Sequence, residues 1–266
     1  MIRLVFLCSA LVWMPLSVAQ EAVSEQALLA EINTAVRAEN EAKVVSGLQQ
    51  YVKLKPNASR AWYMLGVYEF RLSHFQESVN AFDQYVELEP AEERKLWERG
   101  ISHYYAGLYN EGAEQFALYQ TYHDNDVENS VWRFLCMAKA ETIAKAREQM
   151  LPIKNDPRVP LMEIYALFRG ESTPQKVEQE ILQGEPAESE KKSRRFYGDL
   201  YLSIYYETLG QKKLSEEYAR KAWKEHEKTT SISRYMWQVA RVHTLFCESR
   251  RKMREKMDEA ENLMQK

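Results

Sequence analysis

Apolar side chains recur along this chain at helical spacing, in consecutive pairs of segments. Ala61, Met64, Leu65, Tyr68 and Leu72 share one face of a first segment, and Phe75, Ser78, Val79, Phe82 and Tyr85 share one face of the next. That spacing predicts two amphipathic helices. The polar interval between them is short, and Ser73 is followed three places on by Gln76, the arrangement of a capping box that starts the second helix there. Pro90 closes the unit, because a proline cannot supply the amide hydrogen that a continuing helix needs.

The pattern returns with its letters. Gln50-Tyr51-Val52-Lys53-Leu54-Lys55-Pro56 reappears one period later as Gln84-Tyr85-Val86-Glu87-Leu88-Glu89-Pro90. Gly66 and Gly100, Phe75 and Tyr109, and Phe82 and Phe116 keep the same offset, as do Tyr51, Tyr85 and Tyr119. One helix pair cannot bury its own apolar face, so a period of about 34 residues predicts stacked helical hairpins. Gly66 and Gly100 are expected where neighbouring helices approach closely.

Trp62-x-x-Leu65-Gly66 opens one unit and Phe82 and Pro90 close it, a frame that resembles the tetratricopeptide repeat (TPR) family. Glu69 stands where the family pattern has tyrosine, and Ser78 and Tyr85 stand where it has alanine. Trp132-x-x-Leu135-Cys136 repeats the opening spacing. The resemblance covers residues 24–126, with an echo over 196–228. It implies an all-α fold, a right-handed TPR-type helical-hairpin solenoid ended by a C-terminal capping helix.

The expected order is a leader peptide at 1–19, a degenerate first unit at 20–58, two repeats at 59–126 and shortened helical repeats at 127–184. A charged connection at 185–195, a TPR-like repeat at 196–228, and a capping helix with a charged tail at 229–266 complete it. Within the shortened part, Leu161 to Phe168 reads as a helix ended by Gly170. Thr173-Pro174 reads as an N-cap and first-turn proline for a helix running to Gln183.

Composition agrees with an elongated α domain: 45% of the 266 residues are hydrophobic, only 9 are Gly and 8 Pro, and no stretch alternates as a strand would. The formal net charge of −3 provides no general basic field, so nucleic acid is not an expected partner. Basic clusters at 191–195 and 250–252 have acids nearby and read as solvated faces. Arg3, the apolar run Leu4 to Trp13 and the small residues Ser17-Val18-Ala19 read as a leader cleaved after Ala19, giving an exported, periplasmic or extracellular protein. The run is too short for a transmembrane segment and is broken by Pro15. Phe6-Leu7 before Cys8 does not make a lipobox.

Candidate chemistry is sparse. Cys136 and Cys247 could pair only with their Cα atoms within about 7 Å, and both read as buried small side chains. His243 and Cys247 lie one helical turn apart, the spacing of a thiol–imidazole pair or of two metal ligands, but no further His or Cys completes a site. Asp124, Asp126 and Glu128 lack the glycine and distal glutamate of a calcium loop, and are assigned to capping a helix near Ser130. With no phosphate loop or nucleophile elbow, neither enzymatic activity nor a cofactor or metal is expected.

Binding remains. In the TPR family, partner peptides lie in a concave groove lined by the first helix of each unit. In this sequence the resemblance places Tyr63, Phe70, Arg71, Trp97, Tyr104, Tyr105 and Arg133 there, of types that dominate binding hot spots. Tyr104 and Tyr105 diverge in direction, so at least one is expected in the core. Tyr63 and Val67 stand where chaperone-tail binders of the family carry lysine and asparagine, which disfavours recognition of an acidic C-terminal tail in that groove. The layout is also distantly similar to periplasmic TPR adaptor lipoproteins. The expected function is a non-catalytic adaptor or scaffold of the cell envelope that binds a protein or peptide. Homodimerisation through the Phe196 to Phe246 region and a hydrolase or metal enzyme built on His243 and Cys247 are the alternatives. Whether the C-terminal helix fills the groove is left open.

Overall fold

The computed structural model describes the backbone of residues 16–264 and the side chains of 25–261. The leader expected over 1–19 lies outside the described residues, apart from the backbone of its last four. Six helical hairpins follow one another: α1 and α2 (Leu16–Arg37, Glu41–Leu54), α3 and α4 (Ser59–Arg71, Phe75–Leu88), α5 and α6 (Trp97–Ala106, Tyr109–Gln120), α7 and α8 (Val127–Ala140, Ile143–Glu148), α9 and α10 (Leu161–Arg169, Pro174–Leu182), and α11 and α12 (Glu188–Thr208, Lys212–Lys224). A single long helix, α13 (Arg234–Met264), ends the chain, and a 3-10 segment spans Pro90–Lys95. The described residues contain no strand, and none of their helices is long and apolar enough to cross a membrane.

The period of the sequence is the period of the hairpins. The second helices of the first four begin at Glu41, Phe75, Tyr109 and Ile143, the same step each time. The turns keep that step too: Glu39, Ser73 and Gly107 adopt φ of 51°, 62° and 81°, the left-handed conformation that reverses the chain between helices. Gly170 and Gly210 do the same in later hairpins. Ser73 therefore does not cap α4, as its spacing to Gln76 suggests. It takes the turn position that Gly107 fills one repeat later, and His74 precedes α4 without a side-chain cap.

Gly66 and Gly100 sit where helices nearly touch. A Cβ on Gly66 would lie 2.8 Å from the Phe82 ring, and one on Gly100 would lie 2.7 Å from Phe116. Thr173 caps α10 by accepting from the Lys176 amide, with Pro174 in the first turn.

Consecutive helices pack on one another except α8 and α9, where α7 meets α9 instead, and from α3 onward the odd-numbered helices also approach one another: α3 meets α5, α5 meets α7, α7 meets α9 and α9 meets α11. The odd helices thus form one wall. Two expectations need correction. Residues 188–195 are the first turns of α11 rather than a connection, because Glu190 pairs with Arg194 one turn on and Arg195 reaches Glu178 of α10. And α13 does more than cap the end: it stacks on α12 and also reaches back to α3.

Candidate functional site on the inner wall and beside α12

The first half of α13 lies along the wall of odd helices. Tyr235 stacks on Phe70 with ring centroids 5.6 Å apart and meets the Trp97 ring edge to face at 5.0 Å. Phe246 packs against Tyr105 at 5.4 Å. Arg241 Nη2 donates to Glu41 Oε2 at 2.9 Å and to the Arg71 carbonyl at 2.6 Å.

This placement corrects the expectation of an open groove. Phe70, Tyr104 and Tyr105 are 0%, 4% and 7% exposed, because aromatic rings facing a helix with its own apolar face are more stable packed than solvated. Tyr63 donates to Glu98 at 2.8 Å and lies against Phe82 and Tyr85. Burial first, and then Glu98, push its hydroxyl above the ordinary tyrosine range. The Arg71 guanidinium sits 4.4 Å from the Tyr68 ring centroid. Trp97 is half-buried beside Tyr235. Arg133 bonds the Gln149 carbonyl after α8 and so belongs to the α7–α8 hairpin. The structure brings Phe70, Trp97 and Tyr105 together with α13 and leaves Arg133 apart.

Deeper in the wall, a cavity of about 230 Å³ is bounded by Trp97, Trp132, Tyr197 and Met236, with Arg158 at its charged side. Arg158 pairs with Asp126, Glu128 and Asp156 at 2.7, 2.6 and 2.6 Å. Asp126 caps α7 through the Glu128 amide, whereas Glu128 turns inward to Arg158 and accepts from Tyr201 Oη at 2.6 Å. Burial pushes the Glu128 carboxyl up to about 7, against the pull of Arg158.

The larger opening lies elsewhere. A groove of about 1220 Å³ runs between α12 and the second half of α13, and nine basic side chains face five acidic ones along it. Several are mutually paired, as Arg251 is with Glu216 and Glu255. Lys212, Lys213 and Arg254 make no ion pair among the described residues. Lysine and arginine stems line such a groove with methylene groups while their heads stay in water.

At the wall of this groove lies Cys247, half-buried and bonded to no other cysteine. This corrects the expectation that both cysteines are buried: Cys136 is fully so, and Cys247 is not. His243 Nε2 lies 3.7 Å from Cys247 Sγ, and Ser215 Oγ lies 3.8 Å from it. His243, 1% exposed, is fixed at Nδ1 by Tyr105 Oη at 2.9 Å. Burial opposes a charged thiolate here, but the facing imidazole outweighs it and holds the thiol below its ordinary range.

Glu207 lies close by. It receives Tyr104 Oη at 2.8 Å, Lys139 Nζ at 3.0 Å and Arg250 at 3.3 Å. Burial works against its charge, yet His243 and Lys139 keep its carboxyl below the usual range. No group of three or more His, Cys, Asp or Glu side chains suited to a metal occurs among the described residues.

Sequence reasoning missed Glu207, Arg158 and the Lys212-Lys213 rim. Only the rim had a signal, since Lys213, Arg220 and Lys224 recur at spacings of seven and four. The chain matches no family model, and no curated protein matches it.

Proposed function

We propose that this chain is a non-catalytic TPR-type scaffold of the cell envelope that holds an acidic segment of a partner protein in the groove between α12 and α13. The even repeat step supports the family reading, and the leader-like N-terminus supports export. The observation that carries the binding site is the excess of basic side chains along that groove, with Lys212, Lys213 and Arg254 outside any ion pair. The wall predicted from the resemblance is taken up by the molecule's own α13, so a partner's place is beside that helix rather than under it. Carboxylates entering the groove would pair with these heads while their chain lies on the methylene stems.

The test is fluorescence anisotropy with a labelled glutamate-rich peptide and the full chain. Lys212→Glu with Lys213→Glu should weaken binding about tenfold, as expected for two exposed pairs of up to about 1 kcal/mol each. Added salt should weaken the wild type more than the variant. Equal binding by the two proteins would remove this reading.

Self-association has its own support. Met253 and Met257 are 65% and 58% exposed, one turn apart on the second half of α13. The helix there passes from basic (Arg250, Arg251, Lys252, Arg254) to acidic (Asp258, Glu259, Glu261). Two such helices laid antiparallel would match charge to charge and methionine to methionine. Light scattering distinguishes this reading, since Met257→Glu should convert a dimer to a monomer, and a wild-type monomer at micromolar concentration excludes it.

A further inference from the structure

The groove has a chemical feature that holding a peptide does not use. Cys247 Sγ lies on its wall within 3.7 Å of His243 Nε2, and the imidazole is fixed from behind by Tyr105 at 2.9 Å. The second cysteine among the described residues, Cys136, is 0% exposed, and burial pushes its thiol far above the ordinary range. One thiol is therefore inert and the other is accessible, paired and surrounded by cations. A structural cysteine needs neither a buried imidazole aimed at its sulfur nor a basic approach. Reactive cysteines are found in such electropositive, partly exposed surroundings.

We infer that Cys247 is a nucleophilic thiol that exchanges with small anionic disulfides and carries one half of them as a mixed disulfide on the groove wall. His243 takes the thiol proton. The sulfur then attacks one sulfur of R–S–S–R, the new Cys247–S–S–R bond forms as the old S–S bond breaks, and the other half departs with the bonding pair as RS⁻. That thiolate recovers a proton as RSH, so one thiol and one disulfide give one disulfide and one thiol. The incoming disulfide supplies the oxidising equivalent. No other redox partner is involved.

The neighbours explain the selectivity. Lys139 from α7, Arg250 and Arg254 from α13, and Lys212 and Lys213 from α12 border the groove that leads to the sulfur. They favour an incoming carboxylate-bearing disulfide by charge. Glu207 from α11 acts on the dyad by charge, but it is engaged by Lys139, Arg250 and Tyr104, and Glu248, next to Cys247, is paired with Arg220. Ser215 from α12 and Tyr105 from α5 complete the shell around the dyad. The inference does not depend on a peptide occupying the groove, and it adds a covalent, stoichiometric event to a scaffold rather than turnover.

The experiment measures exchange rates on the reduced full chain, with Cys8→Ser in every protein tested, using an anionic aromatic disulfide, 5,5′-dithiobis(2-nitrobenzoate), and the neutral 4,4′-dithiodipyridine. N-acetylcysteine is the reference thiol. The native chain should show a fast phase that is absent from Cys247→Ser. Relative to N-acetylcysteine, the anionic reagent should gain at least about tenfold over the neutral one, and Lys213→Gln with Arg254→Gln should abolish most of that gain.

In His243→Gln the midpoint of rate against pH should rise toward that of a free thiol, about 8.5, with the rate at pH 7 falling on the order of tenfold. Intact mass after incubation with oxidised glutathione should show one added half per chain. If His243→Gln fails to fold, the wild-type ratio, Cys247→Ser and the Lys213→Gln with Arg254→Gln variant still decide. The inference is overturned by a wild-type anionic-to-neutral ratio equal to that of N-acetylcysteine, or by a fast phase that survives in Cys247→Ser.

Discussion

Arg241 and Glu41 stand 200 residues apart in the chain and 2.9 Å apart in space, joined by a hydrogen-bonded ion pair in which both side chains are largely covered. The same guanidinium caps the Arg71 carbonyl at the end of α3. This one side chain ties the last helix to the first two hairpins. Arg241→Ala removes three charge-assisted bonds, to Glu41, to the Arg71 carbonyl and to Gln238 on its own helix, and should cost about 1–3 kcal/mol in urea unfolding. Hydrogen exchange should quicken for residues 234–247 while α9 and α10 keep their protection. Unchanged exchange in α13 would show that the aromatic contacts alone hold it.

The repeated left-handed turn can be tested by exchanging its residues. Ser73 at φ 62° carries a side chain in a conformation that glycine adopts freely, and Gly107 fills the matching place at φ 81°. Ser73→Gly should stabilise by about 0.5–1 kcal/mol, less than the full left-handed penalty because glycine also loosens the unfolded chain. Gly107→Ser should destabilise by a similar amount. Chemical denaturation of the two variants reads the sign directly.

Gly100 makes a different demand on its surroundings, since a Cβ there would sit 2.7 Å from the Phe116 ring. Gly100→Ala should cost about 1–3 kcal/mol through overpacking. Adding Phe116→Leu should return part of the loss, and a double variant no better than Gly100→Ala would show that the ring is not the obstacle.

Asp199 is 1% exposed, and neither of its carboxylate oxygens accepts a hydrogen bond. Its nearest cation, Arg195, lies 3.8 Å away. Burial pushes its carboxyl from an ordinary 3.8 up to about 7. Between those values the folded chain holds a proton that the unfolded chain releases, so this residue's contribution to stability is full at low pH and is lost as pH rises through 7. The stability of Asp199→Asn relative to wild type should therefore grow between pH 4.5 and 8 by on the order of 3 kcal/mol. A difference independent of pH would mean that the carboxylate is solvated.

The two halves of α13 should respond oppositely to truncation. Residues 250–261 are exposed, and their ion pairs, apart from that of Arg250 with the largely buried Glu207, are of the surface kind worth little. A chain ending at Ser249 should keep its melting temperature within a few degrees. A chain ending at Ile232 loses Met236, Trp237, Val239, Ala240 and Val242 from the core and uncovers Phe70 and Tyr105. It should lose cooperative unfolding and bind a hydrophobic dye. Two similar melting curves would contradict the placement of α13.

What the sequence revealed was local and periodic. The repeat step, the close approaches at Gly66 and Gly100, the αL stop at Gly170 and the Thr173-Pro174 start all follow from spacing or from the chemistry of one residue, and each is found in the structure. Ser73 misled because a hydroxyl three places before a glutamine has the same letters as a cap, while the backbone there turns left-handed. Residues 188–195 misled because charge looks like a loop until its i, i+4 pairs are counted.

The packing of α13 on the wall could not be read in advance. Tyr235 meets Phe70, and His243 meets Tyr105, through contacts that no period links. The groove beside α12 was hidden for the same reason: its two sides come from helices whose basic residues, taken one helix at a time, look like ordinary solvated faces.

His243 follows Tyr105 by 138 residues, and that order has a consequence during synthesis. At about 5–20 residues per second, roughly 7 to 30 seconds separate the emergence of the two from the ribosome. Throughout that interval the sides of Phe70 and Tyr105 that later meet Tyr235, Phe246 and His243 lack those partners. A surface that is dry in the finished molecule is thus wet on one side while the chain is being made, and it closes only when the final helix arrives.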